Sequence, residues 1–309
     1  MENGCNVLIA DLALRPEAQV LADKHKNGLA RIVFQETNVI DWPQLERMFE
    51  VAEKEFGEID IVCPGAGIYE PVRVYKAQRI YKILTPFQLQ HWTNFWRPPH
   101  STESKDLPSG GRYALIDINV THPIRTSQLA IAYFLKNRTN GRRKHLVHIS
   151  SIAGQNTNLT APIYNATKHA INGLVRSLGA LDQKLGIRVT AVAPGVIKTP
   201  LWTDHPEKLK LIDDSTDVWV TPEEVAEVML ALVQQEEVSE IIGDQSGRGP
   251  LYKVSGGTIL ECSKTVRAVN QFNDPGPGNR PGNTASVHQI AEEESYKQLT
   301  QKGWGLPKL

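Results

Sequence analysis

Short apolar runs alternate with longer amphipathic segments along most of this chain, and that alternation limits its fold more than any other feature. Residues 5–10 (CNVLIA) read as a buried strand that closes at Asp11. Residues 16–25 read as a helix with Pro16 near its start. Strands follow at 30–34 and 59–63, with a helix at 43–56 between them that Gly57 stops. Residues 113–135 read as a long helix, 144–149 as a strand, 162–185 as a helix and 187–192 as a strand. A helix at 222–233 and a last strand at 257–262 complete the series. Such alternation predicts an α/β fold, a doubly wound sheet of parallel strands joined by right-handed crossovers. Ligands of such sheets bind beyond the carboxyl ends of the strands.

The chain's 309 residues suffice for one large α/β domain with a proper core. We expect that domain over 1–262 and a C-terminal extension over 263–309. The 34 basic residues balance the 34 acidic ones, so no basic excess points to nucleic acid or a membrane surface. Cys5, Cys63 and Cys262 are far apart and lack CxxC spacing. A disulfide framework or a metal site is therefore not expected, and a reducing compartment fits. No apolar run reaches the ~18 residues of a membrane span, and no signal peptide is evident. The expected location is the cytoplasm.

Two stretches interrupt the pattern. Residues 72–111 make an unusually long connection containing Trp92, Phe95, Trp96 and Pro98-Pro99. Its first part, 72–92, has an unpatterned Tyr/Lys/Arg/Gln mix and reads either as translated intron or as a substrate lid. Residues 271–286, rich in Gly, Pro and Asn, read as a flexible link before a short polar helix around 287–302.

The chemistry centres on Tyr164-x-x-x-Lys168. The i, i+4 spacing puts both side chains on one helix face. A free phenol titrates near 10, too high for a base at neutrality. An ammonium ~4 Å away attracts the phenolate by about 4 kcal/mol at an effective dielectric near 20, or roughly three pKa units before desolvation opposes it. Alone, the pattern also describes ordinary helix surface. It is not alone. Ser151, thirteen residues upstream, follows a strand end, where its hydroxyl can reach a substrate oxygen; the competing role is loop capping. Asn119 lies early in the long helix, with a buried helix-bending amide as its other reading. After the strand at 187–192 comes Pro194-Gly195-Val196-Ile197-Lys198-Thr199, a turn placed to lie beside a cofactor.

The order Asn119, Ser151, Tyr164, Lys168, Pro194-Gly195 resembles the short-chain dehydrogenase/reductase superfamily, whose fold is of the Rossmann type. The resemblance covers 5–70 and 112–262. The phrase from Cys63 to Pro71 and the late segment from Gly256 to Glu261 are most similar to its hydroxyprostaglandin-dehydrogenase-like group. The resemblance implies an NAD(P)-dependent oxidoreductase that interconverts a secondary alcohol and a ketone, on a lipophilic or specialised-metabolite substrate. Tyr164 would exchange the proton of the substrate oxygen, Ser151 would orient that oxygen, and Lys168 would lower the tyrosine pKa and hold the nicotinamide ribose. Asn119 would hold a water linking Lys168 to solvent. Gly67, Val196 and Thr199 would line the cofactor, and Asn38-Val39 would meet the adenine. A homodimer or homotetramer is also implied. Asp11, at a strand end, would accept both adenosine ribose hydroxyls and repel a 2′-phosphate, favouring NAD over NADP; a helix N-cap is its other reading. Leu201, Trp202 and Trp219 would shape an apolar substrate pocket, or serve core packing.

Relative to the family pattern, the first strand and its glycine-rich turn are missing at the start, and the expected order 3-2-1-4-5-6-7 leaves that strand central. Gly243, Gly247 and Gly249 copy the glycine spacing, but no helix follows them. An incomplete gene model or a degenerate copy would explain the pattern. The alternative function is therefore a non-catalytic or truncated relative that keeps the tetrad by descent. A metal-dependent hydrolase fails on ligands, since the nine histidines form no HExxH.

Overall fold

The computed structural model describes residues 3–25, 30–70, 93–101, 104, 106–136, 141–203, 209, 212–213, 215–239, 251–263, 265–270 and 288–306. The decoy glycines, the link at 271–286 and the segment 72–92 lie outside the described residues.

The chain begins with β1 (Val7–Asp11), α1 (Pro16–Lys24), β2 (Ile32–Glu36), α2 (Trp42–Phe56) and β3 (Ile61–Val62). Then come α3 (Ala114–Ile116), a π-turn (Asp117–Thr121), α4 (His122–Lys136) and β4 (Lys144–Ile149). α5 (Pro162–Ser177), α6 (Leu181–Leu185), β5 (Ile187–Pro194), α7 (Pro200–Thr203) and α8 (Pro222–Gln234) follow. The last elements are β6 (Glu237–Ser239), β7 (Leu251–Lys253), β8 (Ile259–Cys262), β9 (Val266–Ala268) and α9 (His288–Leu299). This is the expected α/β architecture.

The larger sheet has the order β3-β4-β5-β8-β9, parallel except where β9 turns back against β8. β4 and β5 pair from Lys144–Ile187 to Ile149–Val192, and every residue of β5 is buried. A strand covered on both faces needs such an apolar run. Helices α2, α4 and α5 share one apolar cluster built on Leu45, Phe49, Phe134, Leu146 and Ile171. α8 covers the other face through Val225, Val228 and Leu232. Each fully buried Leu or Phe contributes roughly 1.5–3 kcal/mol. α8 starts with a capping box between Thr221 and Glu224. Gly57 ends α2 at φ 80°, a conformation that favours glycine.

β1 and β2 pair in parallel as a sheet of their own, from Val7–Ile32 to Asp11–Glu36. Among the described residues no strand pairs with the free edge of β1 or of β3. Val20, Leu21 and Phe34 in this part are exposed, and α1 buries no residue. The unit is anchored through α2, where Phe49 stacks on Tyr133 of α4 at 5.1 Å.

Two predicted helices are divided. The run at 113–135 widens into the π-turn at Asp117–Thr121. The run at 162–185 breaks after Ser177, where a Cβ on Gly179 would come within 2.9 Å of the Gly256 backbone. The C-terminal residues add β9 to the sheet edge, and Tyr296, Leu299, Trp304 and Leu306 pack on the main cluster. No helix among the described residues is long and apolar enough to cross a membrane.

Candidate active site

The site lies past the carboxyl ends of β3, β4 and β5. α5 carries Tyr164 and Lys168 one turn apart, as the spacing requires. Lys168 is buried, and its ammonium donates to the Ile149 carbonyl at 2.9 Å, at the end of β4. It sits 5.6 Å from the centre of the Tyr164 ring. Ser151 follows β4 as the cap of a short 3-10 turn, accepting from the Ala153 amide at 3.2 Å and donating to the Pro194 carbonyl at 3.4 Å. Its hydroxyl is also near enough to the Tyr164 phenol to lower it. Tyr164, Lys168 and Ser151 thus converge. The capping role foreseen for Ser151 is present beside the contact with Tyr164.

The electrostatics differ from the sequence expectation. Burial pushes the Tyr164 phenol up to about 12, opposed by the Ser151 hydroxyl and reinforced by Tyr69. Burial pulls the Lys168 ammonium down to about 8. The expectation that Lys168 lowers the tyrosine is not met here, because the lysine is committed to the Ile149 carbonyl and desolvation outweighs attraction.

Asn119 sits in the π-turn, a geometry that recurs at functional sites. Its carboxamide accepts from the Ile68 amide at 2.9 Å and donates to the Ile68 carbonyl at 2.8 Å. It also reaches Thr167 at 3.4 Å, next to Lys168. Asn119 therefore ties the segment after β3 to α5. A Cβ on Gly67 would stand 3.5 Å from the Asn119 oxygen.

The remaining cofactor candidates lie along the strand ends. Asp11 closes β1, exposed, its carboxylate accepting from the Leu12 amide at 2.7 Å. It caps no helix: α1 has Arg15 at its N-cap. Asn38 is turned inward locally, accepting from the Ile40 amide at 3.3 Å. Val39 lines a cavity of about 260 Å³ with Trp42, Arg112, Asp117 and His122. Val196 and Thr199 lie in the turn after β5, where the Val196 carbonyl accepts from the Val220 amide at 2.9 Å. Gly65, Ala66 and Gly67 are exposed after β3. The exposed, side-chain-poor run from Gly65 to Gly67 leaves room for a dinucleotide past the end of β3. Among the described residues no group of His, Cys, Asp or Glu could hold a metal.

Sequence reasoning did not single out Tyr69 or Glu70. The Tyr69 ring lies 4.5 Å from that of Tyr164 and 6.1 Å from that of Trp202, which stands 6.2 Å from Trp219. Glu70 is fully buried and accepts from the Tyr164 amide at 2.8 Å. The only signal was their place just past the Gly65-Ala66-Gly67 run. A Ser150–Asn172–Gly154 network, with Ser150 donating to the Asn172 oxygen at 2.6 Å and Asn172 to the Gly154 carbonyl at 2.8 Å, backs the serine loop against α5.

The short chain dehydrogenase family profile matches residues 1–85 and 100–210. The chain belongs to that family. It is similar to an uncharacterized oxidoreductase of Staphylococcus aureus, 25% identical over 249 residues, 77% of this chain and 90% of that protein. It is 27% identical over 226 residues to the short-chain dehydrogenase/reductase prx7 of Penicillium rubens, covering 72% of this chain and 68% of the relative. Among solved structures, a 3-ketoacyl-(acyl-carrier-protein) reductase from Brucella melitensis, complexed with NADH, superimposes with a TM-score of 0.59 at 17% identity. That match covers 85% of this chain and 88% of the other, and it shows the fold. The family makes this chain an oxidoreductase.

Proposed function

We propose that this oxidoreductase interconverts a secondary alcohol and a ketone with a nicotinamide dinucleotide. The observation that carries the reading is the convergence of Tyr164, Ser151 and Lys168, with Lys168 5.6 Å from the Tyr164 ring centre on the same helix face and Ser151 near enough to lower the phenol. The dinucleotide supplies or accepts the hydride. Tyr164 gives its proton to the ketone oxygen in reduction and takes it back in oxidation. Ser151 fixes and polarises that oxygen. Lys168, on the same helix face, would hold the nicotinamide ribose through its ammonium. The exposed carboxylate of Asp11 favours NAD over NADP, since it would repel a 2′-phosphate. The half-buried row Tyr69, Trp202, Trp219 beside Tyr164 suits a lipophilic substrate, including specialised metabolites. We place the chain in the hydroxyprostaglandin-dehydrogenase-like group on the phrase from Cys63 to Pro71. Three free cysteines agree with a cytoplasmic protein. A homodimer or homotetramer built on α4 and α5 is part of this reading.

The alternative reading is a relative that keeps the tetrad without turnover. Thermal shift with NADH and NADPH separates the two. A ligand at 100 times its Kd stabilises by about 2.7 kcal/mol. A rise with NADH, smaller with NADPH, supports the oxidoreductase; no rise with either supports the second reading.

A further inference from the structure

Helix α5, which carries Tyr164 and Lys168, starts without a cap of its own. Its N-cap residue is Ala161, which offers no side-chain acceptor, and its first helical position is Pro162, which has no N–H. The Ala161 amide donates to the Asn158 carbonyl at 3.3 Å, and the Asn165 amide makes the first helical bond, to Ala161 at 3.0 Å. Two donors of the first turn are left, Ile163 and Tyr164. These are the positions a capping side chain ordinarily serves.

The Tyr164 amide goes to a residue far away in sequence: one oxygen of the Glu70 carboxylate accepts from it at 2.8 Å. The Ile163 amide favours the charged form of the same carboxylate. The other oxygen accepts from the Phe95 amide at 2.9 Å. The side chain is fully buried, and among the described residues no cation pairs with it. A buried carboxylate without a counter-ion is costly. Here the Tyr164 and Phe95 amides and the positive end of α5 offset part of that cost, while burial still holds the carboxyl above its ordinary range.

The arrangement reaches the reacting group from two sides. Tyr69 packs its ring against that of Tyr164 at 4.5 Å, while its neighbour holds the Tyr164 amide. The same stretch of chain is tied at Ile68 to Asn119. A cap drawn from residues next to α5 would order the helix alone. A cap drawn from Glu70 also fixes the helix against the segment leaving β3 and against Phe95.

We propose that Glu70 is a positioning residue for Tyr164: it caps α5 from across the site and locks the first turn of that helix to the 93–97 segment. The inference rests on the reading of Tyr164 as the proton-transfer group. Proton transfer needs heavy atoms within hydrogen-bond reach, and a displacement of about 1 Å can cost on the order of 100-fold in rate.

The test uses the full chain. Glu70→Gln keeps the volume but turns one acceptor into an NH₂ that opposes the amides. NADH-driven reduction of trifluoroacetophenone gives kcat and KM, and hydrogen exchange of peptides 93–97 and 161–166 reads the lock without turnover. We expect kcat to fall at least roughly tenfold, KM for NADH to stay within about twofold, and exchange to quicken in both peptides. Adding Ala161→Ser supplies a local cap: exchange in 161–166 recovers, while kcat and exchange in 93–97 do not. Unchanged kcat in Glu70→Gln, or kcat fully restored by Ala161→Ser, overturns the proposal. If the unaltered chain does not reduce the ketone, exchange decides: no change in either peptide overturns the lock, and quickening in both supports it. Absent turnover with quickened exchange counts against the oxidoreductase reading alone.

Discussion

The Lys168 ammonium gives its hydrogen bond to the Ile149 carbonyl and stands 5.6 Å from the centre of the Tyr164 ring. The phenol, raised by burial to about 12, is therefore a proton donor at neutral pH. The sign follows for each direction. Ketone reduction needs the protonated phenol and the charged Lys168, so it is expected to be flat from about pH 6 to 7 and to fall as Lys168 loses its charge near 8. Alcohol oxidation needs the phenolate, so kcat/KM should climb about tenfold per pH unit from about pH 6 to 7. A plateau in oxidation below pH 8 would show that a bound cofactor lets Lys168 lower the tyrosine after all.

Tyr164→Phe removes one hydroxyl from a helix that keeps its cap, its packing and its lysine. Turnover should drop at least roughly 100-fold, the scale of general acid–base assistance. The thermal midpoint should stay within about 2 °C, since no buried donor is orphaned except at Ser151, which retains the Pro194 carbonyl. Steady-state rates and melting curves check both halves. Activity near that of the unaltered protein would remove Tyr164 from the mechanism.

Asp11 is exposed at the end of β1, and its carboxylate accepts from the next amide in the chain, that of Leu12. Asp11→Ala should cost little stability. It should raise kcat/KM with NADPH relative to NADH by tenfold or more, because a single carboxylate is what would repel the 2′-phosphate. The ratio measured with both cofactors decides. An unchanged ratio would place the adenosine ribose away from β1.

The alternation of strands and helices was legible because burial on both faces leaves apolar runs such as β5, and β4 was delimited to the residue. The divided helices were not. The π-turn at Asp117–Thr121 is set by Asn119 bonding to Ile68, 51 residues away, and the break after Ser177 by close approach of Gly179 to Gly256. The short strands β6, β7 and β9 carry too few residues to show a period. Tyr164 and Lys168 could be placed on one helix face from their spacing, and Ser151 joined them through the resemblance to the family. Glu70 could not, because it acts on amides 25 and 94 residues away, and nothing in local sequence marks a carboxylate as another helix's cap.

Three buried histidines tie stability to acid. Desolvation pulls His122 and His145 down to about 4 and His148 down to about 3, so all are neutral in the folded chain. Their folded values lie below the unfolded value near 6.5. The unfolded chain thus binds more protons between about pH 6.5 and 3. The contribution is full above pH 6.5 and is lost progressively as pH falls through that window. At about 1.36 kcal/mol per unit, His122 and His145 each account for on the order of 3 kcal/mol at the limit and His148 for on the order of 5 kcal/mol. The denaturation midpoint should fall steeply between pH 6.5 and 4. His148→Gln should flatten that slope; an unaltered slope would show that His148 is not among the groups responsible.

Gly154 closes the 3-10 turn behind Ser151, where the serine loop lies against α5. A Cβ there would stand 2.6 Å from the Asn172 amide nitrogen, 2.9 Å from the Lys168 carbonyl and 3.0 Å from the Ser150 hydroxyl. Two of these atoms belong to the network that joins loop and helix, and the third is backbone of the catalytic turn, so none can yield without moving the other two. Gly154→Ala must therefore push the loop off the helix. Overpacking of this kind costs about 1–3 kcal/mol, and Ser151 moves away from Tyr164 with the loop. The phenol then loses the one neighbour that lowers it. Melting curves should show the lost stability. Reduction should slow by more than the unfolded fraction explains, with KM for the ketone rising as Ser151 ceases to orient it. Loss of activity in strict proportion to the unfolded fraction would mean that the loop keeps its place and that the strain is taken up elsewhere in α5.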